Sequence, residues 1–201
     1  MSAMQELSSW LTPPKLDISP PPQIGQEAPV NNPLKLPKSA GKATIIAFLR
    51  HCGCPFAEKT FLRMREAASA HPDIHFIAVS HSNQQHTDKW LQDIGGTNPA
   101  NLEIIVDDKR EIYADWGLGV ASVWHVLKPQ SLYDIYKIAK EDGIKNRPTE
   151  SGYRWQTSGH WAVDGQGKVV WGGVVGSANE IPDFEEAIKA VEAKTVAKAS
   201  L

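Results

Sequence analysis

Short apolar runs and amphipathic stretches alternate along this chain, and their order predicts an α/β architecture. The run Ile45-Ile46-Ala47-Phe48-Leu49 is short, β-branched at its start and bounded by Lys42 and Arg50, which suits a strand covered on both faces. From Pro55 to Ala70 the period becomes helical. A second strand is predicted at His75 to Ser80, after the turn signal His71-Pro72-Asp73. Thr87 to Ile94 carries Trp90, Leu91 and Ile94 at helical spacing and stops at Gly95-Gly96. Leu102 to Val106 is a third buried run, ended by Asp107-Asp108. Residues 109–116 form a short helix in which Ile112, Tyr113 and Trp116 share a face, and Gly117 closes it.

Farther on, Gln130 to Glu141 places Leu132, Ile135, Tyr136 and Ala139 on one stripe, which predicts an inserted helix. Its return, Asp142 to Ser158, is long and polar and contains Pro148, so it reads as a mobile or functional loop outside the core. Trp161 to Val163 and Val169 to Trp171 flank Asp164-Gly165-Gln166-Gly167, a hairpin signal. A final helix from about Pro182 buries Phe184, Ala187, Ile188 and Val191. Residues 1–40 hold eight of the fourteen prolines and little periodicity, which predicts a proline-rich arm ahead of a domain at 41–196, with the insertion at about 129–158. Within the arm, Trp10 and Leu11 would pin a short helical turn against the body or against the second subunit of a homodimer. A disordered tail is the other reading.

The candidate chemistry sits where the first strand meets its helix, in Arg50-His51-Cys52-Gly53-Cys54-Pro55. Gly53 permits a tight turn and Pro55 suits the first helical position, which leaves Cys54 at the N-cap. There the free N–H groups of the first turn and the helix dipole should favour a thiolate. Arg50 would stabilise that thiolate or pair with a carboxylate. His51 would exchange a proton with Cys54 only if the turn rotated it, because alternation puts the two on opposite sides. Two residues of extended chain reach about 6.6–7.2 Å, and a disulfide needs Cα atoms about 4.4–6.8 Å apart. A Cys52–Cys54 bridge therefore requires a bend at Gly53; filling a gap beneath the turn is the other reading of Cys52. A metal reading, with His51, Cys52 and Cys54 joined by His75, His81 or His86, lacks any recognised ligand spacing.

The segment FLRHCGCPFAEKTF (48–61), with DDKREIYADWGLG (107–119) and SGHWAVDGQGKVVWGG (158–173), resembles the peroxiredoxin-like branch of the alkyl hydroperoxide reductase/thiol-specific antioxidant superfamily. The resemblance implies a thioredoxin-like, peroxiredoxin-like α/β sandwich with a central mixed sheet. It implies an oxidoreductase in which Cys54 attacks a hydroperoxide and Cys52, glutathione or thioredoxin resolves the product, with Arg50 and His51 as the other catalytic candidates. No bound cofactor is implied, only an external thiol reductant. Two departures from the relatives stand out: Ala57 stands where many carry a second cysteine, and the P-x-x-x-T-x-x-C pattern is replaced by Ala47 and His51 ahead of Cys54. Pro55, Phe56, Trp124 and Trp155 would line the substrate site, the tryptophans as walls of an apolar cleft. That cleft opens an alternative, a bulky oxidised metabolite as substrate. A non-catalytic binding protein of the same fold is a third.

Composition narrows the setting. With 201 residues, 41% hydrophobic, the chain can bury one substantial core, and its net charge of −2 is spread without a basic stripe for nucleic acid. No leader pattern, membrane-length apolar run or peroxisomal terminus is read from it, so a soluble cytoplasmic protein is expected. Two cysteines cannot build a disulfide framework, which fits a reducing compartment.

Overall fold

The structure is a computed structural model, and it describes residues 7, 9–11, 13–29, 34, 36, 41–121 and 129–199. In chain order the elements are β1 (Thr44–Phe48), α1 (Pro55–Ala70), β2 (His75–Ser80), α2 (Gln84–Asp93), β3 (Leu102–Val106), α3 (Glu111–Asp115), α4 (Pro129–Glu141), β4 (Gly159–Val163), β5 (Val169–Val174) and α5 (Phe184–Ala199). The strands form one sheet in the order β3-β2-β1-β4-β5. β1 and β2 pair in parallel, as do β2 and β3, while β4 and β5 join antiparallel, so the sheet is mixed.

Strand β1 lies at its centre and is buried along its whole length. Alternation sends Ile45 and Ala47 to one face, where they meet Phe61 and Met64 of α1, Trp90 of α2 and Ile188 of α5. Ile46 and Phe48 go to the other, into a cluster with Tyr113, Trp116 and Trp161. Phe48 packs edge-on against Tyr113 and Trp161, with ring centroids 5.1 and 5.6 Å apart. The Tyr113 hydroxyl is shared between the carbonyls of Leu49 (2.6 Å) and Val79 (2.7 Å) and so pins the ends of two neighbouring strands. Leu49 precedes the thiol turn directly, so this buried phenol fixes where the turn begins.

Two expectations need correction. The inserted segment is part of the core, since Ile138 of α4 and Ile144 of the following loop are buried in the same cluster as Ile45 and Phe61. Helix α2 starts at Gln84, three residues before the predicted Thr87, because Asn83 caps it by accepting from the His86 N–H (3.0 Å). The first part of the chain also touches the body: Gly25 donates to Val169 O, Val169 to Gln26 O and Ala28 to Gly167 O, each at 2.8–2.9 Å.

Candidate functional site

The turn after β1 is closed by the Cys54 N–H donating to His51 O at 3.1 Å. Gly53 has φ +104°, and a Cβ on it would lie 2.7 Å from Pro148 O. Both the bend and the close approach of the 142–158 loop therefore require glycine here. Cys54 is the N-cap of α1 with Pro55 behind it, yet its side chain makes no capping hydrogen bond. Instead Arg50 Nη1 stands 3.5 Å from Cys54 Sγ. The donor recorded at this sulfur is thus a guanidinium rather than the first-turn amides that the sequence suggested, although the N-cap position still places the sulfur at the positive end of a 16-residue helix.

Arg50 is itself buried, and its Nη2 donates to Arg154 O at 2.7 Å. The loop residue that orients Arg50 is tied to the N-terminal segment. Arg154 Nε donates to Ser9 Oγ (3.1 Å), its guanidinium stacks 4.8 Å from the Trp10 ring, and Trp155 Nε1 donates to Trp10 O (2.8 Å). Trp155 therefore packs edge-on against Trp10 at 5.8 Å, at the rim of the site. Trp124 lies outside the described residues. Pro55 and Phe56 are buried in the first turn of α1.

Two residues before Cys54, the other sulfur has a different setting. Cys52 Sγ lies 3.6 Å from Ser80 Oγ and 3.8 Å from Thr87 Oγ1, and its N–H donates to Ser82 Oγ at 3.0 Å. Ser80 and Thr87 hydroxyls are 3.1 Å apart, and Thr87 donates onward to Ser82 O. Burial pushes the Cys52 thiol up, with the three hydroxyls pulling the other way. Neither cysteine is in a disulfide.

His51 turns its Nδ1 toward Cys52 O (3.2 Å) and Thr149 Oγ1 (3.4 Å), and among the described residues no hydrogen bond joins its imidazole to the Cys54 sulfur. Burial, with Arg50 and Arg154 nearby, holds it well below the ordinary histidine range. Two further histidines are buried and neutral: His81, pushed down to about 4, and His160, pushed down to about 3, chiefly by burial. His75 sits at the far end of β2, against Glu103. Among the described residues no group of three or more His, Cys, Asp or Glu is placed to hold a metal ion.

The sequence reading missed several neighbours of the turn. His160 and Arg50 line one small pocket of ≈ 10 Å³ together with Phe56, Thr60 and Ser158, and Arg50 Nε and His160 Nδ1 are buried without a hydrogen-bond partner among the described residues. Arg147 closes the other flank. Its N–H donates to Gly53 O (3.0 Å), and its side chain pairs with the buried Glu58 (3.0 Å).

Residues 62–174, more than half of the chain, match the AhpC/TSA antioxidant enzyme family, and the protein belongs to that family. Both cysteines precede the matched stretch. Among solved structures the chain is similar to a peroxiredoxin-like protein from Aquifex aeolicus, with 15% identity over 88% of this chain and 90% of that one and a TM-score of 0.58. It is similar to a thiol peroxidase from Chromobacterium violaceum (13% identity, 89% and 91% covered, TM-score 0.57). A reduced 2-Cys peroxiredoxin from Plasmodium vivax also superposes (14% identity, 89% and 85% covered, TM-score 0.58). The fold is thus the thioredoxin-like fold of peroxiredoxins. No curated protein matches the sequence. Among the described residues no helix is long and apolar enough to cross a membrane.

Proposed function

We propose that the protein is a thiol peroxidase in which Cys54 reduces a small hydroperoxide. The observation that carries this reading is the pairing of Arg50 Nη1 with Cys54 Sγ at 3.5 Å, at the start of α1. A guanidinium and a helix N-terminus both favour a thiolate, the reactive form of cysteine. The Cys54 thiolate attacks one peroxide oxygen, the O–O bond breaks, and the released alkoxide takes a proton to leave as alcohol or water. Cys54 becomes a sulfenic acid. Arg50 Nε, buried and without a partner among the described residues, is available to donate to the departing oxygen.

The Cys52 thiol then attacks the sulfenic sulfur, forming the disulfide and releasing water, and an external thiol such as glutathione or thioredoxin restores both cysteines. The bend that a Cys52–Cys54 bridge needs is supplied by Gly53. To form it, Cys52 must leave the hydroxyls of Ser80 and Thr87. Intact-mass measurement after brief exposure to hydrogen peroxide tests this. The wild type should lose two hydrogens, and Cys52→Ser should gain one oxygen on Cys54. An unchanged mass in both would refute the peroxidase reading.

A further inference from the structure

The guanidinium that faces Cys54 is itself held by few contacts. Arg50 Nη1 stands 3.5 Å from the sulfur and Nη2 donates to Arg154 O at 2.7 Å, while no carboxylate pairs with Arg50 among the described residues. Where that one loop carbonyl points therefore sets where the guanidinium points. The peptide that bears it is held from two directions. The body fastens its neighbours: Tyr153 N–H donates to His81 Nε2 (3.1 Å) and Gln156 Nε2 to Leu118 O (2.9 Å). Residues 154 and 155 themselves are gripped by an N-terminal turn, closed by Trp10 N–H donating to Leu7 O at 3.2 Å. Arg154 N–H and Nε donate to Ser9 O and Ser9 Oγ, both at 3.1 Å. The Arg154 guanidinium lies 4.8 Å from the Trp10 ring, and Trp155 Nε1 donates to Trp10 O at 2.8 Å.

This grip lies at the surface. Trp10 is 43% exposed and Leu11 63%, so the turn buries little apolar area and relies on its polar contacts to two loop residues. The chain that follows is fastened separately, by Pro14 O accepting from Arg110 Nη2 (2.7 Å) and by Ser19 N–H donating to Ala114 O (3.0 Å). Seating of the turn and folding of the body are therefore separable. We propose that Ser9 and Trp10 are positioning residues for Cys54: the seated turn sets the Arg154 carbonyl, which aims the Arg50 guanidinium at the sulfur, and its release leaves Cys54 less reactive. The inference deepens the peroxidase reading and rests on it for Cys54 as the attacking sulfur. Because the turn acts through Arg50, removing Arg50 should silence it.

The experiment measures iodoacetamide alkylation of the full chain across the pH range in which thiols ionise, with fragment ions assigning the label to Cys54 or Cys52. The wild type is compared with Trp10→Ala, Trp10→Phe, Arg50→Met and the double variant Trp10→Ala with Arg50→Met. Trp10→Ala is expected to slow alkylation of Cys54 and move its profile to higher pH, by no more than Arg50→Met does, with Cys52 labelling unchanged. Trp10→Phe keeps a ring over Arg154 and the same backbone carbonyl, and should restore the wild-type rate. In the Arg50→Met background the Trp10→Ala change should add nothing. An unchanged profile in Trp10→Ala overturns the proposal, and so does faster alkylation, which would make the turn a cover over the sulfur. Equal slowing with and without Arg50 also overturns it, because the turn would then act by another route. If Trp10→Ala loses its cooperative thermal transition, Ser9→Ala, which removes one acceptor and no ring, is read by the same outcomes. Alkylation needs no peroxide, so the two readings fail separately: a chain that shows the expected pattern while hydrogen peroxide leaves its mass unchanged keeps the turn's role and loses the peroxidase.

Discussion

Cys54 and Cys52 stand two residues apart in one turn, both buried, and the fold gives them opposite surroundings. One faces a buried guanidinium at a helix start; the other faces the hydroxyls of Ser80 and Thr87. A charge close by favours an anion, whereas hydroxyls hold a neutral thiol almost as well. Gly53 produces the difference, because its positive φ turns the chain between them. Burial alone therefore says little about which cysteine reacts; the charge and dipoles facing each sulfur decide.

The largest expected effect falls on the sulfurs themselves. Cys54→Ser should reduce peroxide consumption and low-pH iodoacetamide labelling to background, and Cys52→Ser should keep both first-encounter reactions. Labelling that survives in Cys54→Ser and disappears in Cys52→Ser would invert the comparison. Next comes the cation. Arg50→Met should slow alkylation of Cys54 and leave Cys52 unaffected, since the guanidinium is the donor that stands 3.5 Å from the Cys54 sulfur. Equal rates in the variant and the wild type would show that the helix start suffices.

The buried imidazoles give a third test, this time of stability. His81 and His160 bind a proton more weakly folded, at about 4 and about 3, than unfolded, near 6.5. Their contribution is fully present above the unfolded value and is lost as pH falls through the window below it. Around pH 5 each should give unfolding free energy a slope of about 1.4 kcal/mol per pH unit, rising with pH. Urea melts at pH 6 and pH 5 would read this, and His160→Gln should remove one proton's share. A slope unchanged in that variant would mean that His160 is protonated in the folded protein. The smallest effect belongs to the hydroxyls. Ser80→Ala should cost about 1 kcal/mol in stability and leave Cys54 alkylation unchanged. A slowed Cys54 in that variant would show the two surroundings to be coupled.

Much of this arrangement was legible in the sequence. A five-residue apolar run, a glycine, and a proline opening a helix are local signals, and they place Cys54 at the N-cap without any long-range knowledge. Leu49 and Arg50 follow from the same run. What could not be read is the set of residues that approach from elsewhere. Ser80 and Thr87 reach Cys52 from the end of β2 and from α2, and Arg154 holds Arg50 through a backbone carbonyl, to which side-chain identity is no guide. His160 reaches the turn only because β4 pairs with β1, opposite Ala47. The 142–158 loop is polar in sequence, and its polarity hid that Ile144 anchors it in the core while Arg147 and Pro148 cover the turn.

The backbone bonds from Gly25, Gln26 and Ala28 to the start of β5 carry a consequence for how copies of this chain behave when crowded. Strand β5 is the last in its sheet, reads Val-Val-Trp-Gly-Gly-Val, and has no charge of its own to repel an approaching strand. Unpaired edges of this kind are templates for sheet-to-sheet growth. Gly173 offers no side chain as a barrier, and the space around it is open. By occupying Val169 N–H and O and the carbonyl of Gly167, residues 25–28 give the rim of the sheet an intramolecular partner at its first rungs. A neighbouring molecule meets backbone groups there that are already engaged, and nucleation of a shared sheet loses its easiest starting point.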